Sequence, residues 1–124
     1  MDKWLWIAGG AVLGAWSRAL VAEWAAARFQ GDFPWGTFLI NLGGSFLLGL
    51  FLTWHLERGW FPPQARLMVA IGWCASFTTF STFSFETFKL ITAGQGWLAA
   101  AYALGSVCVC LSGTWAGVAV GRLF

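Results

Sequence analysis

Charge is scarce in this chain of 124 residues: only 10% of them are Asp, Glu, Lys or Arg. Soluble domains carry about a quarter, so a water-facing surface all round is excluded. The net charge of +2, with no basic run, leaves no footprint for nucleic acid. Histidine occurs once, as His55, and the three cysteines (Cys74, Cys108 and Cys110) are an odd number buried in apolar sequence. That pattern excludes a disulfide framework and offers no spacing of metal ligands, so the cysteines read as small packing residues. No Ser-His-Asp arrangement and no phosphate loop is present, which removes the usual routes to an enzyme. Proline is limited to Pro34, Pro62 and Pro63, all of them in connections.

What remains is apolar: 59% of the residues are hydrophobic and 19% aromatic. A membrane span needs about 20 mostly apolar residues. Four such stretches fill the chain, from about Trp4 to Phe29, Trp35 to Leu56, Gln64 to Thr92 and Trp97 to Gly121. The first is too long for a signal-peptide core and is interrupted by Arg18, so it reads as a span. The connections 30–34, 57–63 and 94–96 hold glycine, proline and polar residues that stop helices. The expectation is one all-α membrane unit over residues 1–124. Trp4, Trp6, Trp35, Trp54, Trp60 and Trp97 fall near span ends, where indole rings anchor at the headgroups. The cations are poorly biased: Lys3, Arg58, Arg66 and Arg122 on one side, Arg28 and Lys89 on the other. So weak a bias permits insertion either way round. Gly10 and Gly14, and again Gly113, Gly117 and Gly121, recur at the four-residue step of close helix packing, with Ala101 and Gly105 continuing the second row.

Polar side chains inside a bilayer are costly, so their placement is informative. Thr37, Asn41, Ser45, Gly49 and Thr53 share a slowly rotating face of the second span, and Tyr102, Ser106, Cys110 and Thr114 one of the fourth. Two readings stay open: a lined, hydrated track, or hydrogen bonds between helices. Asn41 favours the first, because its amide needs several partners. The third span carries six hydroxyls within Ser76–Ser84, alternating with Phe77, Phe80 and Phe83 and followed by Glu86. Such a run fits a helix broken near Ser76–Thr79, with backbone groups facing a cavity or partner. Phe77, Phe80 and Phe83, three apart, form a stripe. Phenylalanine edges are electropositive and hydroxyls donate hydrogen bonds, so together they suit a small anion without trapping it.

Phe-Thr-Thr-Phe-Ser-Thr-Phe-Ser at 77–84 with Glu86, Gly36-Thr37…Asn41…Gly44-Ser45-Phe46…Gly49, and Gly9-Gly10…Gly14-Ala15…Arg18 resemble the three signatures of the small Fluc (CrcB) fluoride channels. The resemblance runs along the whole chain. It implies an antiparallel, dual-topology homodimer in the bacterial plasma (inner) membrane, with two pores that let fluoride leave passively and relieve its toxicity. It also implies a fluoride pathway of Phe80, Phe83, Asn41 as amide donor, hydroxyls of Thr79, Ser81 and Thr82, and the track Tyr102, Ser106 and Cys110. A sodium ion at the dimer interface would sit on the backbone carbonyls of Ala75 and Thr78. The family commonly has Gly-Gly where this chain has Ala75-Ser76, and a left-handed backbone there would be strained. Arg18 and Glu86 are candidates for a vestibule or a gate, against plain snorkelling or packing. A small multidrug transporter, also a four-span antiparallel dimer, is the competing reading. It calls for an acid midway along the first span, where this chain has only Glu23 near one end.

Overall fold

A computed structural model describes residues 2–124. Four helical segments are long and apolar enough to cross a membrane: Asp2–Arg28, Trp35–Leu56, Pro63–Thr92 and Gly96–Leu123. The first and second are the continuous helices α1 and α2. The fourth segment, α5 below, is one helix through Leu123, so the 122–124 stub expected from the sequence is mostly helical. The third segment is not one helix. Its first half, α3, runs through Pro63–Arg66, a π-helical stretch Leu67–Cys74 and a last turn Ala75–Phe77. Its second half is α4, Phe80–Thr92.

The break falls on two threonines. Thr78 (φ −76°, ψ 156°) and Thr79 (φ −149°, ψ 114°) are extended. β-Branched residues resist helix mildly. Side chains then do the larger work of satisfying the freed backbone, which lipid would otherwise leave unpaired. The Thr78 N–H and hydroxyl both donate to the Cys74 carbonyl, at 3.0 and 2.9 Å. Thr79 caps α4, its hydroxyl oxygen accepting the Thr82 N–H at 3.2 Å. The break also corrects the expected phenylalanine stripe. Phe77, on the first half, is buried and stacked on Trp73 at 4.8 Å between centroids, whereas Phe80 is 79% exposed.

The helices pack in two close pairs, α1 against the π-helical stretch and α2 against α5. Small residues set both. A Cβ at Gly10 would strike the Met68 carbonyl, and one at Gly14 the Trp73 carbonyl. In the other pair, a Cβ at Gly117 would strike the Phe46 carbonyl and one at Gly49 the Thr114 carbonyl. Without a hydrophobic drive between helices in lipid, such backbone contact supplies the dispersion that holds them. The glycine row on α5 ends at Gly113, however. Gly105 has open space beside it and Ala101 is exposed, so these two do not continue the face packed within the subunit.

At one end of the bundle, Glu57 and Arg122 form the one ion pair among the described residues, 2.7 Å, and Arg58 donates to the Arg122 carbonyl at 2.7 Å. This joins the end of α2 to the end of α5. The hydrogen bond from Arg122 holds the Glu57 carboxyl below the ordinary carboxylate range, with the charges of Arg122 and Arg58 adding to it. At the opposite end, Gln95 Nε2 donates to Asp32 Oδ2 at 2.8 Å and ties the two remaining connections together.

Candidate functional site

The break in the third span opens on a groove of about 310 Å3 between α2, α4 and α5. Asn41 and Ser45 line it from α2, Thr79, Phe80 and Phe83 from the break and α4, and Ser106, Cys110 and Thr114 from α5. Phe80 and Phe83 lie side by side, 5.5 Å between centroids. Ser106 is 5% exposed, and its hydroxyl oxygen is buried without a hydrogen-bond partner. A buried hydroxyl costs free energy unless something bonds it, so a lone Ser106 Oγ in the groove marks a place where a water or an ion fits. The groove therefore offers the buried, unpartnered Ser106 hydroxyl and two aromatic rings. The amides of Phe80 and Ser81 open α4, and an α-helix leaves its first amides without internal partners.

Asn41 does more than face the groove. Its Oδ1 accepts the Thr79 N–H at 2.8 Å, and its Nδ2 donates to the Thr79 carbonyl at 3.1 Å. The side chain thus stands in for a strand partner at the break, and one Nδ2 hydrogen is left over. Sequence spacing identifies Asn41 as an expensive residue, but not that its cost is met by Thr79, 38 positions away. The expected hydroxyls also divide. Thr79 Oγ1 donates to Thr82 Oγ1 at 2.9 Å and lies 3.4 Å from Ser81 Oγ, while Ser81 and Thr82 themselves are exposed and outside the groove lining.

Tyr102 lies deeper than its place in the α5 stripe suggests. It is fully buried, and its hydroxyl donates to Glu86 Oε2 at 2.7 Å. Thr37 donates to the other carboxylate oxygen, Glu86 Oε1, at 2.9 Å. Glu86 is thereby tied to both polar stripes at once, a three-residue link that the sequence does not display. The Phe83 ring separates this link from the groove, 5.2 Å from the Tyr102 ring. The α2 stripe splits in two. Thr37, Asn41 and Ser45 meet polar partners or the groove, whereas Gly49 packs on α5 and Thr53 donates to its own helix at the Gly49 carbonyl. Residues four apart drift about 40° per step around a helix, enough to turn the last two away. Arg18 lines neither the groove nor the cavity beside Glu86, and forms no ion pair among the described residues.

The break also frees carbonyls. A continuous helix would pair the Ala75 carbonyl with the Thr79 N–H and the Thr78 carbonyl with the Thr82 N–H. Here the first amide goes to Asn41 and the second to Thr79 Oγ1. Uncharged carbonyl oxygens at a break are the donor type that replaces the hydration shell of a monovalent cation, so these atoms fit a sodium ion. The replacement of Gly-Gly by Ala75-Ser76 introduces no strain. Ala75 is right-handed (φ −65°, ψ −27°), and no non-glycine residue among those described has a positive φ.

Comparison with known proteins adds the family. A channel from Geotalea uraniireducens (strain Rf4), named "Fluoride-specific ion channel FluC", is 40% identical over 122 residues, 98% of each chain. "Fluoride-specific ion channel FluC 2" from Moorella thermoacetica is 41% identical and the Geobacter sulfurreducens "Fluoride-specific ion channel FluC" 42%, each again over 98% of both chains. Residues 5–118 match the family described as "CrcB-like protein, Camphor Resistance (CrcB)". With the break and the second and third spans inside that match, and most of the first and fourth, this chain belongs to the CrcB family.

Proposed function

We propose that this multi-pass membrane protein is a fluoride-selective channel subunit that lets fluoride leave the cell passively, across a bacterial plasma membrane, and so relieves its toxicity. The carrying observation is the groove at the broken span: two phenylalanines, an unpartnered buried Ser106 hydroxyl and the start of a half-helix, in a chain that resembles named fluoride channels over nearly its full length. Such donors replace part of the hydration shell of a small anion, and the ring edges prevent a deep well. Phe80, Phe83, Thr79, Ser106 and Cys110 would line the path, with Asn41 holding the break and offering its remaining Nδ2 hydrogen. Ser81, Thr82 and Tyr102 would act behind them. Catalysis has no part in this function.

The working unit in this reading is an antiparallel homodimer with two pores. The groove is open on the side where Phe80 stands out, and a second copy would close it. A sodium ion between the copies would rest on the Ala75 and Thr78 carbonyls of each, fixing the two breaks against one another. Fluoride efflux from liposomes holding the purified protein, read with a fluoride electrode against chloride, tests the function. Fast, non-saturating fluoride release without a pH gradient is expected; no release from intact dimers would sink it.

A further inference from the structure

Further along α4 toward its C-terminal end lies a second cavity of about 350 Å3. Gly31–Pro34 cover it, and Glu86, Lys89 and Gln95 line it. Glu86 is the connecting residue, because its carboxylate is tied to Tyr102 and its side chain also borders this cavity. Both the groove and the cavity are bordered by α4, the groove at Phe80 and Phe83 and the cavity at Glu86, Lys89 and Leu90.

The charges in this second chamber are unevenly engaged. Both carboxylates are held by neutral donors: Glu86 by the Thr37 and Tyr102 hydroxyls, Asp32 by the Gln95 amide. Lys89 sits three residues after Glu86, on the same side of α4, yet forms no ion pair among the described residues. It is also the one cation lining the chamber. An ammonium not quenched by a contact partner keeps its field available to mobile ions, whereas each carboxylate opposes an anion's approach.

We propose that this chamber is the outer vestibule of the ion path, and that Lys89 sets anion access there by offsetting Asp32 and Glu86. This rests on the channel reading. At a separation near 8 Å in water one unit charge changes local anion concentration by about two- to threefold. That field reaches ~30 Å at 0.01 M salt but only ~3 Å at 1 M. A lysine that merely snorkels to the headgroups, or favours the C-terminal end of its helix, has no such effect on flux.

The experiment compares wild type, Lys89→Gln, Lys89→Arg and Asp32→Asn by fluoride efflux from neutral-lipid liposomes at low and at molar ionic strength. Asp32→Asn keeps a carbonyl oxygen for Gln95 and removes only the charge. At low ionic strength, Lys89→Gln should slow flux about two- to threefold, Lys89→Arg should match wild type, and Asp32→Asn should raise flux. At molar salt all four should converge. Wild-type flux in Lys89→Gln at low salt, or a deficit that molar salt leaves in place, overturns the vestibule role alone. Wild-type liposomes that release no fluoride overturn the channel reading, and the vestibule with it.

Discussion

Replacing Asn41 should loosen the break in the third span before it alters anything else. Two hydrogen bonds, 2.8 and 3.1 Å, join its side chain to the N–H and carbonyl of Thr79, a residue only 8% exposed. Asn41→Leu keeps the branching at Cγ but leaves both backbone groups unpaired. Each buried orphan costs about 1–3 kcal/mol, so the break loses roughly 2–6 kcal/mol. A water entering from the groove would bring the loss toward the lower figure. Because 1.4 kcal/mol is tenfold, even about 2 kcal/mol lowers amide-exchange protection near Thr79 by roughly 30-fold. Asn41→Asp retains an acceptor for the Thr79 N–H but, when ionised, has no donor for the carbonyl, so its effect on exchange should be intermediate. The assay is hydrogen–deuterium exchange of the 76–84 segment in liposomes, beside fluoride efflux on the same samples. Both should change in the leucine variant. Reduced flux with wild-type exchange protection would refute the structural role and leave Asn41 as an ion donor only.

The α2–α5 seam gives a second prediction. Gly117→Leu drives a side chain into the Phe46 backbone, so the two helices must separate and the groove they wall must deform; folded yield and melting temperature should fall sharply, while Gly105→Leu, with open space beside it, should leave the subunit folded. Equal melting temperatures for the two variants would contradict the packing assigned to this pair. The Glu57–Arg122 pair gives a third. The hydrogen bond from Arg122 holds the Glu57 carboxyl below the ordinary carboxylate range, so its stabilising contact is fully present above that range and lost as the pH falls through the lower, folded value. The last residues of α5 should therefore exchange faster under acid, and Glu57→Gln should show that fast exchange already at neutral pH. The pair is exposed, so high salt should have a similar effect; pH-independent exchange at 120–124 would remove the latch.

Hydropathy and turn chemistry by themselves determine the four spans, because lipid forces every backbone group to be satisfied within its own helix and composition reports that burial directly. The helix-breaking site was equally legible, since the run Ser76–Ser84 spends too many hydroxyls for an ordinary span. The cost of Asn41 and the need for small residues at Gly10, Gly14 and Gly117 were written there too. The pairings were not. Tertiary structure alone decides that Asn41 satisfies Thr79, that Thr37 and Tyr102 meet on Glu86, and that Phe77 turns into the core while Phe80 turns out. Each joins segments whose relative depth and rotation follow from helix packing, which a one-dimensional pattern does not encode. The π-helical stretch Leu67–Cys74 is the extreme case: its residues read as any apolar helix, and only the approach of α1 at Gly72 and Gly10 reveals why the backbone there matters.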